Sequence, residues 1–481
     1  MFGAAALQSY GTIVAVSWKS QSIETASTPQ ELKDRGFPQQ HRRVQKKGGA
    51  SSLRKIGFYC TLALVFLRFS FLAEFIKYIT GRDLYVLYIF GPPALLVFLS
   101  KEGLRRTFRE KGPKIWLGFL IWMCLSVPFS LWRAGSLQAV QNYTKTQFIL
   151  LLFIVGLTSG WAECRRIMYA IGAATAFMVV IAAYYMRSGA ERLSLQWTGQ
   201  IGNANDFAAH LLLALPFLLF VVLKPNTSKL VRLLFLAPLL LGLFEVLRTA
   251  SRGALIALAV TVLFLLLRGS MKQRIAIGAT AAVALAAMIT LLPRDTWNRM
   301  LSFSSDEVGA SVGALESSAY RKQLLEDSIK CTLEHPLLGV GINQFPNYEK
   351  AGRVGVRWTD AHNSYTQISS ECGLPALFFY IAALIWAFRL LARIKRQASG
   401  PHKAEMITAT YVIGIGVVAY SVAIFFLNFG YAFQFLLVSG LIETMWRAVR
   451  STNQLRAKVA LALSCPENLT ASGAAATPGG S

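Results

Sequence analysis

Apolar runs long enough to cross a lipid bilayer recur along the whole chain. Two clear cases are "IMYAIGAATAFMVVIAAYYM" (167–186) and "IAIGATAAVALAAMITLL" (275–292). A hydrocarbon core of roughly 30 Å needs about 20 helical residues to span it. Because lipid offers no water to the backbone, each run must satisfy its own hydrogen bonds, and no alternating strand pattern of a barrel is visible. The predicted fold class is therefore an all-α polytopic membrane protein.

The composition agrees with this class and explains the charge. Of 481 residues, 54% are hydrophobic and 15% are charged, and the mean hydropathy is +0.45. The net charge of +25 would suggest nucleic acid as the partner of a soluble protein. Here the Lys and Arg residues lie in short loops between apolar runs, as the positive-inside rule expects. Membrane lipid is the predicted partner, and nucleic acid is not.

Hydropathy predicts about twelve spans and five parts of the chain. The spans lie near 57–76, 83–100, 115–131, 146–160, 167–186, 206–223, 233–247, 254–267, 275–292, 373–392, 405–427 and 431–447. The parts are a disordered basic tail (1–55), nine spans (56–292), a long loop (293–372), three spans (373–447) and a second tail (448–481).

The loop charges predict the orientation. If the amino terminus is inside, then inner loops such as "KEGLRRTFREKGPK" and "RIKRQASGPHK" hold most of the Lys and Arg residues. Both termini are therefore predicted to be cytoplasmic, and the long loop lies outside. Within this loop, "AYRKQLLEDSIKCTLEHP" predicts an amphipathic helix with Leu324, Ile329 and Leu333 on its apolar side.

The segment "RTASRGA" (248–254) separates two predicted spans at the outer face. Ser251 is suited to cap the following helix, and Gly253 lets another backbone approach closely. Arg252 then stands at a helix amino terminus that already favours an anion, with Arg248 four residues earlier. Such guanidinium groups bind phosphate well, although an arginine that reaches toward lipid headgroups is an equal alternative.

The stretch "GNAND" precedes another span at the same face. Asn203, Asn205 and Asp206 suit either a helix cap followed by a turn or a polar wall that hydrogen-bonds a sugar. For any one of these residues the cap is the simpler interpretation. In combination they favour a binding surface.

Three residues of the long loop complete the outer polar set. His362 titrates near neutral pH and is suited to take a proton from a hydroxyl, while Asn363 beside it is suited to cap the next span. Arg321 lies on the loop helix, where a solvated charge is the simpler reading. Glu371 follows His362 by nine residues, so a continuous helix directs it away from the histidine. Glu371 is then expected to pair with an arginine or to orient a neighbour.

Several patterns for other chemistry are missing from the sequence. It has no DxD pair, no HExxH and no Walker or GxGxxG motif, so no metal and no cofactor is predicted. The six cysteines show no metal-type spacing. For Cys331 and Cys372, a disulfide and two free thiols both remain open.

Four ordered motifs together resemble the O-antigen ligase and polymerase superfamily of bacterial surface-polysaccharide enzymes. They are "GNANDFAAH", "SRGALIAL", a loop arginine followed by "HPLLGVGINQF", and "AHNSYTQISSECGLPALFF". The resemblance covers about residues 60–445, and the usual Asn-Pro-Asn reads Asn203-Ala204-Asn205 here.

The resemblance implies a metal-independent glycosyltransferase in the bacterial inner membrane with a periplasmic site. The donor would be a glycan on undecaprenyl pyrophosphate. The acceptor would be a sugar hydroxyl of the lipid A core in a ligase, or the end of another lipid-linked glycan in a polymerase. The implied roles are pyrophosphate binding by Arg252 and Arg321 and base catalysis by His362, and the sequence position of Arg248 adds it to the predicted pyrophosphate site. From the residue patterns described above, Asn203, Asn205, Asn363 and Glu371 are predicted to supply supporting polar groups.

Two other functions remain open from the residues alone. A transporter or flippase of a lipid-linked or anionic solute would carry charged residues on mid-span faces, where this sequence has few. A non-catalytic scaffold of the cell envelope would tolerate replacement of His362, Arg252 and Arg321.

Overall fold

A computed structural model of the protein describes residues 38–185, 201–268, 312–350 and 360–464, together with Leu193, Leu195 and isolated positions between 271 and 290. The chain divides into two compact units, Met1–Ser52 and Leu53–Ser481. Every regular element within the described residues is helical. The all-α fold class is therefore confirmed, and the long apolar helices described below point to a multi-pass membrane protein.

Sixteen α-helices are assigned in the described residues, numbered here in chain order. They are α1 (Pro38–Ser70), α2 (Leu72–Thr80), α3 (Val86–Phe98), α4 (Lys101–Arg109), α5 (Lys111–Ser126), α6 (Arg133–Tyr143), α7 (Ile149–Leu157), α8 (Trp161–Tyr185), α9 (Ala204–Leu223), α10 (Lys229–Arg248), α11 (Arg252–Arg268), α12 (Val312–Glu334), α13 (Phe345–Lys350), α14 (Ser364–Gln397), α15 (Lys403–Ala423) and α16 (Phe433–Ser464). Short 3-10 turns follow α5 and α15, and a π turn (Thr144–Phe148) joins α6 to α7.

The predicted count of twelve spans is not confirmed. Six described helices are long and apolar enough to cross a membrane, or up to eight if each of two bent pairs is one span. The predicted span 146–160 begins inside the π turn and continues as the nine-residue α7. The predicted span 254–267 corresponds to the shorter apolar helix α11, and 275–292 lies largely outside the described residues. A hydropathy window registers apolar residues but not the backbone breaks between them.

Parts of both predicted tails are helical in the structure, and the division of the chain into five parts stays a prediction. Helix α1 begins at Pro38, so residues 38–55 are helical where a disordered segment was predicted. Residues 1–37 lie outside the described part of the chain. Helix α16 likewise continues to Ser464, beyond the predicted end of the last span at residue 447.

Helix α9 forms the centre of the second unit and positions the site described below. Most of its residues are buried, and it packs against α8, α10 and α15. Gly172 of α8 and Gly416 of α15 lie against its backbone, where a Cβ atom would be 3.3 Å and 3.1 Å from a carbonyl oxygen of α9. This close packing fixes the position of α9, whose amino-terminal end carries the "GNAND" motif.

The predicted loop helix is present as α12, but two of the three residues predicted to form its buried apolar face are exposed. Leu324 is buried, whereas Ile329 and Leu333 are 45% and 73% exposed. The buried face contains hydroxyl groups instead. The Ser328 Oγ donates to Thr366 Oγ1 at 2.8 Å, and Thr332 bonds a serine hydroxyl of α14 at 2.8 Å. Apolar periodicity could not detect a helix that docks through hydrogen bonds.

Cys331 and Cys372 are free thiols and do not form a disulfide. Cys331 Sγ lies 3.8 Å from the carbonyl oxygen of Ser370. Cys372 Sγ lies 3.3 Å from the Tyr431 hydroxyl. Burial raises the pKa of the Cys331 thiol to about 12, so this sulfur stays protonated at neutral pH.

Candidate active site

The amino-terminal ends of α9 and α11 meet the loop helix α12 around one small opening. Its volume is about 230 Å³, which includes space open to solvent. Its lining includes Asn205 of α9, Ser251 and Gly253 at the start of α11, Arg321 of α12, and Phe426 and Leu427 after α15. Backbone N–H groups at a helix start carry partial positive charge, so two such starts beside an arginine favour an anion.

The turn before α11 places its residues much as the sequence predicted. The Ser251 Oγ accepts a hydrogen bond from the Ala254 N–H at 3.3 Å, which caps the helix. Ala250 adopts a left-handed conformation with φ 48°, which lets α11 begin directly after α10. Gly253 allows a close approach, but of the Phe426 side chain rather than of a backbone: a Cβ atom would lie 3.0 Å from its ring.

The start of α9 is organised by Asn203. Its Oδ1 accepts hydrogen bonds from the N–H groups of Asn205 and Asp206 at 2.9 Å and 3.0 Å. Its Nδ2 donates to the Asp206 carboxylate. The cap interpretation therefore holds for Asn203, while Asn205 lines the opening itself.

Arg321 connects the opening to the histidine. Its positive charge acts on both the Asp206 carboxylate and the His362 ring. The Asp360 carboxylate also acts on Asp206. Three distant parts of the sequence thus meet in one group of charges. Sequence reasoning left both aspartates out of its site, although Asp206 belongs to a motif that it had singled out.

His362 stands directly before the capped start of α14. Its backbone is left-handed, with φ 51°, an uncommon conformation for a residue other than glycine. Asn363 caps α14 as predicted, because its side chain accepts from the N–H groups of Tyr365 and Thr366 at 2.9 Å and 3.2 Å. Burial, and then the Arg321 charge, lower the pKa of His362 to about 4. The ring is therefore neutral at pH 7 and can accept a proton.

Hydrogen bonds attach the start of α14 to the segment that borders the opening. The Ser364 Oγ donates to the Leu427 carbonyl oxygen at 2.7 Å and accepts from the Phe429 N–H at 2.7 Å. The Gly430 N–H donates to Gln367 Oε1 at 3.1 Å. Since Leu427 lines the opening, these bonds fix the histidine turn relative to it.

Glu371 orients a neighbouring turn, and of the charge group it interacts with Asp360. It is buried and accepts a hydrogen bond from the Asn343 N–H at 2.9 Å. Its own carbonyl oxygen accepts from the Gly341 N–H at 2.8 Å. The "HPLLGVGINQF" turn thus docks onto α14 where the helix breaks at Gly373 (φ 81°), whose Cβ would lie 2.0 Å from the Leu337 carbonyl oxygen.

Two predicted arginines do not line the opening. Arg252 is the first residue of α11 and is partly buried, one position from the lining residues Ser251 and Gly253. Arg248 ends α10, and its charge acts on Glu245 one turn earlier. A role of either residue in pyrophosphate binding stays a prediction.

No group of three or more His, Cys, Asp or Glu side chains in the described part of the chain is arranged to hold a metal ion. The absence of a metal from the reaction stays a prediction.

Comparison with known families supports the resemblance stated from the motifs. A family model described as O-antigen ligase matches residues 237–381. This range holds Arg252, Arg321 and His362, whereas Asn203 and Asn205 precede it. A search of curated proteins found no significant match. The resemblance to the O-antigen ligase and polymerase superfamily is thereby confirmed over the matched residues. Members of this family are glycosyltransferase-like membrane enzymes, and the family implies lipid-linked glycan substrates.

Proposed function

We propose that this protein is an O-antigen ligase-like glycosyltransferase of the bacterial inner membrane. It transfers a glycan from undecaprenyl pyrophosphate to a sugar hydroxyl, such as one of the lipid A core, at the periplasmic face. The observation that carries this proposal is the position of Arg321. Arg321 lines the opening between α9 and α11, and its charge also acts on His362.

The donor pyrophosphate binds at the opening. The helix starts of α9 and α11 contribute partial positive charge, and Arg321 contributes a full one. Arg252, at the first position of α11, adds a second guanidinium at the same helix start. Arginine binds phosphate oxygens in pairs, so two arginines can hold the two phosphates and stabilise the charge that develops as they leave.

His362 accepts the proton of the acceptor hydroxyl. The hydroxyl oxygen then forms a bond to the anomeric carbon of the donor glycan, and the bond from this carbon to the pyrophosphate oxygen breaks. The electron pair leaves with undecaprenyl pyrophosphate, where the arginines stabilise it. A bound pyrophosphate also offsets the Arg321 charge, which raises the pKa of His362 from about 4 toward neutrality and makes the ring a stronger base.

A polymerase of the same superfamily is the alternative, because the family match covers both activities. The donor site and the base would be the same. Only the acceptor differs: it is the end of a second lipid-linked glycan rather than the lipid A core.

The test is complementation of a deletion strain, read from a gel of cell-surface polysaccharide. Wild type and the variants His362→Ala, Arg252→Ala and Arg321→Ala are expressed at equal membrane abundance. We expect wild type alone to restore the surface polymer. In the deletion strain, long chains retained on the lipid carrier indicate a ligase, and single repeat units indicate a polymerase.

Two variants serve as matched controls. Lys330→Ala removes a 68% exposed charge from the same helix as Arg321, and His335→Ala removes an exposed histidine of the same loop. Both should complement fully. If the three site variants complemented as well as these controls, the catalytic proposal would be wrong, and a transporter or scaffold would account better for the protein.

A further inference from the structure

A second, larger opening lies among the amino-terminal helices. It is a groove of about 560 Å³, which includes space open to solvent, between the end of α1, α2, the start of α3 and the π turn before α7. Leu64, Leu67, Leu87, Leu150 and Phe153 are among its apolar lining residues. The groove shares no lining residue with the opening at α9 and α11.

Charged side chains line the groove beside the apolar ones. They are Arg68, Glu74 and Lys145, so two basic groups face one acidic group and leave a formal net charge of +1. Arg68 and Glu74 form an ion pair with a nitrogen–oxygen distance of 3.6 Å, so Lys145 accounts for the net positive charge of the lining. The lining therefore favours an anionic group.

The guanidinium of Arg68 lies over the aromatic ring of Phe433. Its Cζ lies 4.5 Å from the centre of the Phe433 ring, and its side chain is only 16% exposed. A cation–π contact of this kind restrains the guanidinium, and a planar guanidinium recognises phosphate through paired hydrogen bonds. A phosphate is thus better suited to this position than a diffuse anion.

The π turn brings Lys145 and Thr146 to the groove. The Thr144 and Thr146 hydroxyls donate to the carbonyl oxygens of Val140 and Asn142 at 2.8 Å and 2.7 Å, which satisfies acceptors within the wider turn. A π turn inside a helical segment is rare and occurs often at functional sites. Here it places a basic side chain at the mouth of an apolar groove.

The surroundings indicate the depth of the groove in the membrane. Tyr78, Tyr85 and Tyr88, around the α2–α3 connection, are 62%, 65% and 74% exposed. Exposed tyrosines are enriched where hydrocarbon meets headgroups. The charged end of the groove therefore lies at headgroup level. The apolar lining continues away from it, since Leu64 precedes Arg68 by one turn on α1.

We propose that this groove binds an anionic glycerophospholipid of the surrounding membrane. The lipid phosphate contacts Arg68 and Lys145, and one acyl chain follows the apolar lining. From Lys145 to Phe153 the lining extends about 12 Å along the helix axis, at roughly 1.5 Å per residue. This length lies within an acyl chain and is far shorter than an undecaprenyl chain. The proposal does not depend on the glycosyltransferase activity.

The test is native mass spectrometry of the full-length protein released from nanodiscs. One set of nanodiscs contains dioleoylphosphatidylglycerol and the other dioleoylphosphatidylcholine. We expect wild type to retain one phosphatidylglycerol under conditions that remove phosphatidylcholine. Arg68→Gln and Lys145→Ala should each lower the retained fraction about tenfold, the effect of losing one hydrogen bond to a charged group.

Two further variants separate lipid binding from folding. Leu67→Trp keeps the charges but fills the groove, so it should also lose the lipid. If Arg68→Gln does not accumulate in the membrane, Leu67→Trp and Lys145→Ala together still test the proposal. Lys77→Ala removes a 56% exposed basic residue of α2 that is paired with Asp83 and lies outside the groove, and it should retain the lipid.

Three results would overturn the proposal. The first is equal retention of phosphatidylcholine, and the second is equal loss of phosphatidylglycerol in the Lys77→Ala control. The third is replacement of phosphatidylglycerol by undecaprenyl phosphate when both are present in equal amounts, because that result assigns the groove to the carrier lipid.

Discussion

The influence of Arg321 on His362 predicts a measurable change in the pH dependence of transfer. In the free enzyme, burial and the Arg321 charge lower the pKa of His362 to about 4. If His362 is the base, kcat/KM for the donor falls only when the pH approaches this value, because kcat/KM reports the ionisation of the free enzyme. Arg321→Gln removes one of the two causes and leaves burial in place.

The size of the change follows from the structure. Together, burial and the Arg321 charge lower the pKa of His362 from its ordinary value of 6.5 to about 4. Burial is the larger cause, so loss of the arginine charge should raise the pKa by about 1, to about 5. At pH 5 the neutral fraction of the ring would then fall from about nine-tenths to about one half. The sign is fixed, because removing a positive charge makes protonation of a nearby ring easier.

The assay is donor turnover by purified protein between pH 4 and pH 8, with each variant normalised to its own plateau. Arg321→Gln should also lower the plateau, by about 10² to 10³, since it removes a charge from the leaving group. Lys330→Gln, on the same helix, should leave both the plateau and the acid limb unchanged. A thermal unfolding curve at each pH separates loss of the fold from protonation.

Two results would refute this reasoning. An acid limb near 6.5 in wild type would show that His362 has an ordinary environment or is not the base. An acid limb that stays in place or moves to lower pH in Arg321→Gln would show that the arginine charge does not act on the ring.

Three other substitutions test the support of the site. Asp206→Asn removes the carboxylate beside Arg321, and we expect kcat/KM to fall about tenfold at equal membrane abundance because the guanidinium loses an orienting charge. Ser364→Ala leaves a buried N–H group without its acceptor and should cost about 1–3 kcal/mol of unfolding free energy, measured as a lower unfolding temperature in detergent. Gly373→Ala would place a Cβ 2.0 Å from a carbonyl oxygen and should nearly abolish membrane accumulation. Gly81→Ala, also at positive φ but with no atom within 4 Å, should cost only about 1–2 kcal/mol and should still accumulate.

The sequence predicted the helices better than it predicted their ends. Apolar composition alone identified the helical membrane class, because lipid forces such runs to satisfy their own backbone. The tenth predicted span began at residue 373, where the structure has a break inside α14 rather than a beginning. The helix starts at Ser364, and its first two turns carry polar side chains that bond other parts of the protein. Hydropathy assigned those turns to the loop because their burial depends on tertiary contacts.

The sequence predicted which residues belong to the site better than it predicted what those residues contact. Helix caps at Asn203, Ser251 and Asn363 follow from local sequence, and the structure contains all three. Glu371 was harder to assign, because its partner is a backbone N–H of residue 343, which no side-chain pattern reveals. Asp360 was missed for a similar reason. Its neighbours come from α9 and from the segment after α15, both distant in the sequence.

Two strained turns indicate why the opening lies where it does. Ala250 and His362 both have left-handed backbones, and each lies at most two residues before the first residue of a helix. This conformation costs a residue with a side chain about 1–2 kcal/mol, and it persists only where surrounding contacts hold it. Ala250 is buried, and the segment after His362 is tied by hydrogen bonds to the border of the opening. In both turns the left-handed residue lets the chain enter a helix abruptly, and Ser251 and Asn363 then cap the first N–H groups of these two helices. Both turns lie within the residues that the family model matches, so these two abrupt helix starts belong to the part of the chain that resembles O-antigen ligases.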